Sequence, residues 1–294
     1  MPIDSKTRRE FLRNAAGGLL ALAASSATQS KANPLGLPIG IQLGWVEDDC
    51  ERDFDGILQK LADMGYREVE AFAPFFNRPP KEFRSIVGAH GLKCPSAHWT
   101  PATVKPEWEK QVETAHEIGL HYLTVPSLPT VALAKSLDDC QRNAETFNRM
   151  GEQCHQAGLQ LAVHNHYPEF RSFDGVIGYD VLLQRTDPKL VTFELDCFWC
   201  AFAGQNPAEY LRRYPGRFAL LHIKDLKAGY KPSTKEVERQ PFIEVGRGVI
   251  DWKPIFAAAP RAGVKHYFVE QDHCDRPPLE SAKISIDYLK TLKV

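Results

Sequence analysis

Imidazole and carboxylate side chains follow four short apolar segments in the second half of the sequence. The four segment ends read Val163-His164-Asn165-His166, Glu194-Leu195-Asp196, Leu221-His222-Ile223-Lys224-Asp225 and Val269-Glu270-Gln271-Asp272. Imidazole nitrogens and carboxylate oxygens together suit Zn²⁺, Mn²⁺, Co²⁺ or Fe²⁺ better than Ca²⁺. A single histidine at such a position is usually only hydrogen-bonded. Four such ends in succession predict a divalent metal site, with a structural polar cluster that holds no metal as the alternative.

The elements that must position these residues alternate along the chain. Short apolar strands are predicted at residues 39–44, 68–72, 93–98, 122–126, 159–164, 191–196, 218–222 and 267–270. Apolar residues spaced by three and four predict helices between them, including 54–64, 108–118, 140–157, 178–185, 254–262 and a last helix over 279–292. Several of these helices end in glycine, as helices commonly do.

Eight strands that alternate with helices imply a parallel sheet with right-handed crossovers, and eight units close a barrel. The rival is a doubly wound open sheet, which normally carries a glycine-rich phosphate turn after its first strand. Gly44-Trp45-Val46-Glu47-Asp48 is not such a turn. We therefore predict a single (β/α)₈ TIM barrel over residues 36–294. The carboxyl ends of its strands bring the four polar ends to one mouth.

The charge balance bears on the partners of the protein. The 294 residues carry 36 Lys and Arg against 37 Asp and Glu, a formal net charge of −1. A nucleic-acid-binding protein normally shows a basic stripe that neutralises phosphates. The composition therefore predicts no nucleic-acid partner, and the sequence leaves open whether the protein forms an oligomer.

Residues 1–35 differ in character from the rest of the chain. Ser5-Lys6-Thr7-Arg8-Arg9-Glu10-Phe11-Leu12 resembles a twin-arginine export signal, and an apolar stretch with small-residue cleavage options follows it. That stretch is too short to span a bilayer securely. We predict a signal peptide and linker over 1–35, export to the periplasm by the twin-arginine machinery, and no stable membrane span once the leader is removed.

Seven cysteines are spread through the chain without the rhythm of a disulfide framework. Cys197-Phe198-Trp199-Cys200 has the spacing of a redox pair, but the sequence around it does not suggest the start of a helix. We predict buried structural cysteines there.

Six motifs carry a family resemblance. They are Gly65-Tyr66-Arg67-Glu68-Val69-Glu70, His164-Asn165-His166-Tyr167-Pro168-Glu169-Phe170, Glu194-Leu195-Asp196, Pro215-Gly216-Arg217 with Leu221-His222-Ile223-Lys224-Asp225, Val245-Gly246-Arg247-Gly248, and Val269-Glu270-Gln271-Asp272. From about residue 41 to its end, the chain resembles the xylose isomerase-like sugar phosphate isomerase/epimerase family of TIM barrels. The resemblance implies an enzyme with one divalent metal ion (Mn²⁺, Zn²⁺, Co²⁺ or Fe²⁺) and a carbohydrate substrate.

The resemblance also implies a ligand set of Glu, Asp, His and Glu at strand ends. Asp196, His222 and Glu270 match the last three positions. The first position departs from the family pattern, because His164 stands where the well-studied epimerases have glutamate. His166 lies on the same strand face, since residues two apart point the same way. Either histidine is a candidate fourth ligand, and His164 is favoured.

This departure bears on the mechanism. In the family's epimerases, two metal-bound glutamates work on opposite faces of the sugar while the metal polarises the carbonyl. With His164 in the first position the symmetric pair is lost, so we predict Glu270 or Glu169 as the catalytic base. A one-sided site fits isomerisation, or β-elimination from a keto-glycoside, better than epimerisation.

Further strand-end residues are predicted to bind substrate hydroxyls or to pack on a sugar ring. They are His98, His166, Lys224, Trp45, Trp199 and Glu70. Gly246-Arg247-Gly248 is a weak candidate for meeting a phosphate. An exported enzyme would meet few phosphorylated sugars, so a free sugar or glycoside is the expected substrate.

Four functions remain to be compared. The leading one is a metal-dependent sugar isomerase or epimerase that acts next to a carbonyl. The alternatives are a lyase or hydratase acting on 3-keto-glycosides with the same metal site, and a non-catalytic carbohydrate-binding barrel. An abasic-site endonuclease shares this barrel type, but the neutral charge and the export leader speak against it.

Overall fold

Eight parallel strands close into a barrel in the computed structural model, which describes residues 33–235 and 241–294. The strands are β1 (Ile39–Gln42), β2 (Glu68–Phe72), β3 (Lys93–His98), β4 (Tyr122–Val125), β5 (Gln160–His164), β6 (Val191–Asp196), β7 (Phe218–Ile223) and β8 (His266–Val269). Each strand pairs with the next in the chain, and β8 pairs with β1. The predicted TIM barrel is confirmed. Of the predicted leader at residues 1–35, residues 1–32 lie outside the described residues. The leader stays a prediction.

Helices follow the strands on the outside of the barrel. The longer ones are Glu47–Met64, Pro80–Ala89, Lys105–Ile118, Leu137–Gln156, Gly178–Arg185, Pro207–Arg213, Trp252–Ala262 and Pro278–Leu289. Shorter helices are Gly44–Val46, Phe75–Asn77, Pro129–Ala132, Pro168–Phe170 and Cys197–Phe202. Two small antiparallel sheets lie outside the barrel sheet. One pairs Ser172–Phe173 with Val176–Ile177, and the other pairs Asp225–Leu226 with Phe242–Ile243. The first long helix ends at Gly65 with φ of 106°, a conformation that favours glycine.

Successive side chains along each strand point to opposite faces of the barrel wall, so the strand residues form two sets. One set, which includes Val69, Leu161 and Leu195, belongs to the main hydrophobic core. The other faces inward, where Tyr122, Ala162, Leu220 and Phe268 form a separate apolar cluster. Gly40 belongs with this second set, because a Cβ there would lie 2.4 Å from the ring of Phe268. The same inward face becomes polar toward the carboxyl ends of the strands.

The segment Cys197–Phe202 corrects one expectation from the sequence. It does begin a helix, and the side chain of Asp196 accepts a hydrogen bond from the backbone N–H of Trp199 at its start. The thiols of Cys197 and Cys200 are nevertheless buried and unpaired, and burial raises the pKa of each well above its usual value. They are therefore protonated structural cysteines, as predicted.

None of the helices in the described part of the chain is both long enough and apolar enough to cross a bilayer.

Candidate metal centre

The inward-facing polar residues of six strands meet at the carboxyl end of the barrel. They include seven of the residues selected from the sequence, namely Glu70, His98, His164, Asp196, His222, Lys224 and Glu270. Glu194 of β6, which the sequence reading did not select, joins them. The sequence could have predicted that Glu194 faces the site, because Glu194 and Asp196 are two residues apart on one strand and share a face.

The two carboxylate oxygens of Asp196 differ in their contacts. Its Oδ1 atom accepts the N–H of Trp199 at 2.8 Å and so holds the side chain in place. Its Oδ2 atom is buried and has no hydrogen-bond partner within the described chain. It lies 3.8 Å from Nε2 of His164 and 3.9 Å from Nδ1 of His222. The ammonium of Lys224 also lies 3.2 Å from this oxygen. A buried oxygen that accepts no hydrogen bond and faces two imidazole nitrogens is suited to a metal ion.

The remaining distances also suit one shared cation. Nδ1 of His222 lies 3.0 Å from Oε2 of Glu270, and ligand atoms of Asp196, His222 and Glu270 all lie within 4.8 Å of one another. Metal–ligand bonds of about 2.1 Å place neighbouring ligand atoms about 3 to 4 Å apart. The residues present therefore fit a divalent metal held by nitrogen and carboxylate oxygen. His164 is not part of this mutually close set, but its Nε2 atom lies 3.8 Å from Oδ2 of Asp196, which makes it the candidate for a fourth ligand.

His166 takes a different position from His164. Its ring packs against that of His164, with 4.8 Å between centroids, and against Trp199 at 5.5 Å. Burial and the nearby Lys224 ammonium lower the pKa of His166 to about 3, so its imidazole is neutral at neutral pH. This places His166 in the wall of the site.

Lys224 is fully buried beside the ligand carboxylates. Its Nζ atom lies 2.5 Å from Oε2 of Glu270, 2.6 Å from Oδ2 of Asp272 and 3.2 Å from Oδ2 of Asp196. The rings of Trp199, Phe242 and Phe198 surround the ammonium at 5.4 to 5.9 Å. Burial alone would lower the pKa of Lys224, but the three carboxylates raise it well above the usual value, so the side chain stays protonated.

A second group of contacts lies behind the histidine ligands. Nδ1 of His164 is 2.9 Å from Oε2 of Glu194, and Nε2 of His222 is 2.7 Å from Oε2 of Glu70. Nε2 of His98 lies between the two carboxylates, 3.0 Å from Glu194 and 3.2 Å from Glu70.

Four buried carboxylates give the centre a large negative charge that cations would balance. Glu70, Glu194, Asp196 and Glu270 are all buried, and Lys224 is the buried ammonium that faces two of them. Burial raises the pKa of Asp196 to about 6, and burial together with the nearby Glu70 raises that of Glu194 to about 7. Burial is the main cause of both shifts, and the buried carboxylates in turn raise the pKa of His98 to about 10 and that of His222 well above its usual value. The cluster therefore favours added positive charge. A divalent cation would supply it.

Two residues predicted for the site lie elsewhere. Glu169 accepts the backbone N–H of His166 at 3.0 Å and faces a small cavity beside Cys140 and Phe173. No hydrogen bond or ion pair in the described chain joins Glu169 to the metal ligands. Trp45 packs against the outer hydrophobic core. The structure thus brings Glu270, but not Glu169, to the centre.

The glycine pair that the sequence linked weakly to phosphate has another partner. The N–H groups of Gly246 and Gly248 both donate to Oδ2 of Asp225, at 2.9 and 3.2 Å, and the indole N–H of Trp252 donates to the same oxygen. Asp225 therefore organises this loop, and both glycine donors are already used.

Comparison with known proteins agrees with this geometry. A family model described as "Xylose isomerase-like TIM barrel" matches residues 58–292. The chain belongs to the xylose isomerase-like TIM barrel family. The family predicted from the sequence motifs is therefore confirmed.

Curated relatives of this family member are named inosose dehydratase. The protein of Geobacillus thermodenitrificans is 24% identical over 287 residues, which cover 84% of this chain and 94% of that one. The protein of Lacticaseibacillus casei is 25% identical over 283 residues, covering 84% and 94%.

Solved structures share the fold. A sugar phosphate isomerase/epimerase from Parabacteroides distasonis superposes with a TM-score of 0.76 at 28% identity, covering 91% of this chain and 96% of that one. The IolI protein, solved with a bound zinc atom, superposes with a TM-score of 0.65 at 15% identity, covering 85% and 96%. At that identity the second comparison speaks to the fold alone.

Proposed function

We propose that this protein is a divalent-metal-dependent lyase. It eliminates water, or another leaving group in the β position, next to the carbonyl of a keto-cyclitol, keto-sugar or 3-keto-glycoside. The sequence predicted a lyase or hydratase acting on 3-keto-glycosides as the alternative function, and the relatives named inosose dehydratase favour a lyase over the isomerase or epimerase that was placed first. The name of these relatives adds the keto-cyclitol to the proposed substrates.

The observation that carries the proposal is the 2.5 Å contact between Nζ of Lys224 and Oε2 of Glu270. The acid and the base that the proposal requires would then lie side by side on one wall of the site. The Lys224 ammonium and the His222 side chain hold the pKa of Glu270 well below the usual range despite burial, so Glu270 is ionised. The shift fixes its charge, and its position makes it the proposed base. Lys224 is protonated and can donate a proton. Elimination needs both groups.

Two-faced epimerisation needs a different arrangement. It uses one base on each face of the substrate carbon. On the strand where a second glutamate would be required, this chain has His164, whose Nδ1 atom is engaged by Glu194. The site is therefore built on one side, around Lys224 and Glu270.

The metal would be held by His164, Asp196, His222 and Glu270. A divalent cation in such a site supplies Lewis-acid polarisation of a carbonyl, which acidifies the neighbouring C–H bond.

Glu270 and Lys224 then carry the proton steps. The Glu270 carboxylate accepts the proton from the carbon next to the carbonyl. The electron pair of that C–H bond forms a C=C bond, and the C–O bond to the β-leaving group breaks. Lys224 donates a proton to the departing oxygen, which leaves as water or an alcohol. Because Lys224 and Glu270 are in contact, the proton gained by Glu270 passes to Lys224, and both residues return to their starting states. The shared wall predicts syn elimination.

A panel of substrates tests this proposal. The purified protein is supplied with Mn²⁺ and incubated with a keto-cyclitol, a 3-keto-glycoside and an ordinary ketose, and products are identified by mass spectrometry and NMR. Loss of water or of an alcohol from one of the first two substrates is expected, and Glu270→Gln should abolish it. Conversion of any substrate to an isomer of unchanged mass, without elimination, would instead establish an isomerase or epimerase.

A further inference from the structure

We propose that Glu70, His98 and Glu194 position the two histidine ligands through a closed ring of hydrogen bonds. We call His98, His164, His222, Glu70 and Glu194 the histidine–glutamate ring. The inference rests on a metal at the centre described above. It assigns a role to two buried carboxylates and one partly buried imidazole that the proposed proton steps leave unused.

The ring is visible in how each ligand histidine uses its two nitrogens. His164 directs Nε2 toward Oδ2 of Asp196, at 3.8 Å, and Nδ1 toward Oε2 of Glu194, at 2.9 Å. His222 directs Nδ1 toward Asp196, at 3.9 Å, and Nε2 toward Oε2 of Glu70, at 2.7 Å. The same Nε2 atom lies 3.2 Å from Oε2 of Glu194, which links the two carboxylates on this side of the ring. In both residues, one nitrogen faces the metal site and the other faces a buried carboxylate.

His98 closes the ring at the back. Its Nε2 atom lies 3.0 Å from Oε2 of Glu194 and 3.2 Å from Oε2 of Glu70, so one imidazole N–H bridges the two carboxylates. The ring of His98 stacks on that of His222, with centroids 5.3 Å apart and planes 12° apart. By these contacts, His98 and Glu70 act behind the histidine ligands.

One of the two outer carboxylates is held from behind. Ser96 donates its hydroxyl to Oε1 of Glu70 at 2.5 Å and contacts the hydroxyl of Thr124 at 2.9 Å. Oε1 of Glu194 is buried without a hydrogen-bond partner among the described residues, and the imidazole contacts of this carboxylate converge on Oε2. Ser96 therefore orients Glu70, whereas Glu194 is oriented by the histidines themselves.

This arrangement has a direct consequence for metal binding. A histidine that donates one ring N–H to a carboxylate is locked in the tautomer whose other nitrogen carries the lone pair, and that nitrogen becomes a stronger ligand. Loss of such a partner typically lowers metal affinity about 10- to 100-fold. Glu194 would act on His164 in this way, and Glu70 on His222.

The test compares glutamates that differ in position but not in chemistry. Glu194→Gln and Glu70→Gln each remove one ring carboxylate. Glu68→Gln is the matched control, because Glu68 is also buried, lies on the same strand as Glu70 and contacts an imidazole, Nδ1 of His266, at 2.8 Å. The affinity for Co²⁺ is measured by competition with a chromophoric chelator, together with the visible spectrum of the bound Co²⁺ and the thermal unfolding of the metal-free proteins.

We expect about 10- to 100-fold weaker Co²⁺ binding and an altered spectrum in both ring variants, with the control within about twofold of wild type. Two substitutions of His98 separate a loss of hydrogen bonding from a loss of folding. His98→Gln can still donate to both carboxylates and should bind Co²⁺ almost normally, whereas His98→Phe should weaken binding.

Each contrary result has a separate meaning. If the wild-type protein binds no divalent metal, the metal centre itself is wrong. If the wild type binds one ion and the folded ring variants match it in affinity and spectrum, the ring has no positioning role. Two ions per wild-type chain, with the second lost in His98→Gln, would make these residues metal ligands and overturn the proposal.

Discussion

The ammonium of Lys224 lies 2.5 Å from the carboxylate of Glu270, and both side chains are buried at the carboxyl end of the barrel. This contact joins a candidate metal ligand to a buried ammonium, which the proposed elimination uses as its acid. It also makes the site asymmetric, because the opposite wall is built from imidazole rings. The asymmetry separates an elimination site from one that exchanges protons on two faces.

Replacing Lys224 tests its role as the acid. Lys224→Gln should lower kcat by about 100-fold or more, since a general acid typically contributes about 10²- to 10⁴-fold. Metal affinity should be retained or increased, because the substitution removes a positive charge that lies 3.2 Å from Oδ2 of Asp196. Steady-state kinetics and metal titration measure the two effects.

The control for this prediction is Lys227→Gln. Lys227 pairs with Asp275 at 2.5 Å at the protein surface, so its loss should leave kcat unchanged. Normal turnover by Lys224→Gln with metal bound would remove Lys224 from the mechanism.

Two substitutions at Asp196 separate its two oxygens. In Asp196→Asn, the side-chain oxygen can still accept the N–H of Trp199, so the protein should fold normally while binding metal far more weakly. Asp196→Ala should lose the metal as well and also destabilise the metal-free protein by about 1 kcal/mol, because the helix loses its cap. Metal content and urea unfolding of the metal-free variants give the comparison. Equal unfolding free energies for the two variants would contradict the capping role.

Glu169 should impose a pH dependence on stability. Burial raises its pKa to about 7, so the folded state retains a proton that the unfolded state releases near pH 4.5. Between these values the folded state binds more protons, and the free energy of unfolding therefore falls as the pH rises. The loss is complete above about pH 7. Its upper limit is about 3 kcal/mol, at about 1.4 kcal/mol for each pKa unit.

Glu169→Gln should remove this loss. The variant is expected to be more stable than wild type at pH 8 and nearly equal to it at pH 4.5, as measured by urea unfolding of metal-free protein. Glu145→Gln, at an exposed helix position, serves as the control and should change little at either pH. A Glu169→Gln protein that gains no stability at pH 8 would show that the carboxyl is not buried in this way.

The barrel could be predicted in detail from the sequence. The predicted strands 68–72, 93–98 and 191–196 coincide with β2, β3 and β6, and the others differ by no more than two residues at either end. Parallel strands of a closed barrel are buried on both faces and bounded by helices with clear periodicity, so their limits are strongly marked. Short helices such as Cys197–Phe202 were missed, because a six-residue element is too short to show a period.

The inner arrangement of the site was less predictable. The strand ends selected His164, Asp196, His222 and Glu270, but they could not distinguish groups that face the mouth from groups that lie one layer deeper. Glu194 illustrates this, since its spacing from Asp196 gives the face but not the partner. Glu169 illustrates the converse, because the loop after β5 turns its carboxylate back onto the N–H of His166.

The most direct test of a metal-dependent lyase follows the mass of one substrate. A keto-cyclitol is incubated with wild-type protein as purified with Mn²⁺, after removal of metal with EDTA, and after Mn²⁺ is restored. We predict loss of one molecule of water in the first and third samples and none in the second. Water loss that persists unchanged in the metal-free protein would contradict the metal dependence, and a metal-loaded protein that leaves keto-cyclitol and 3-keto-glycoside intact would contradict the proposed reaction.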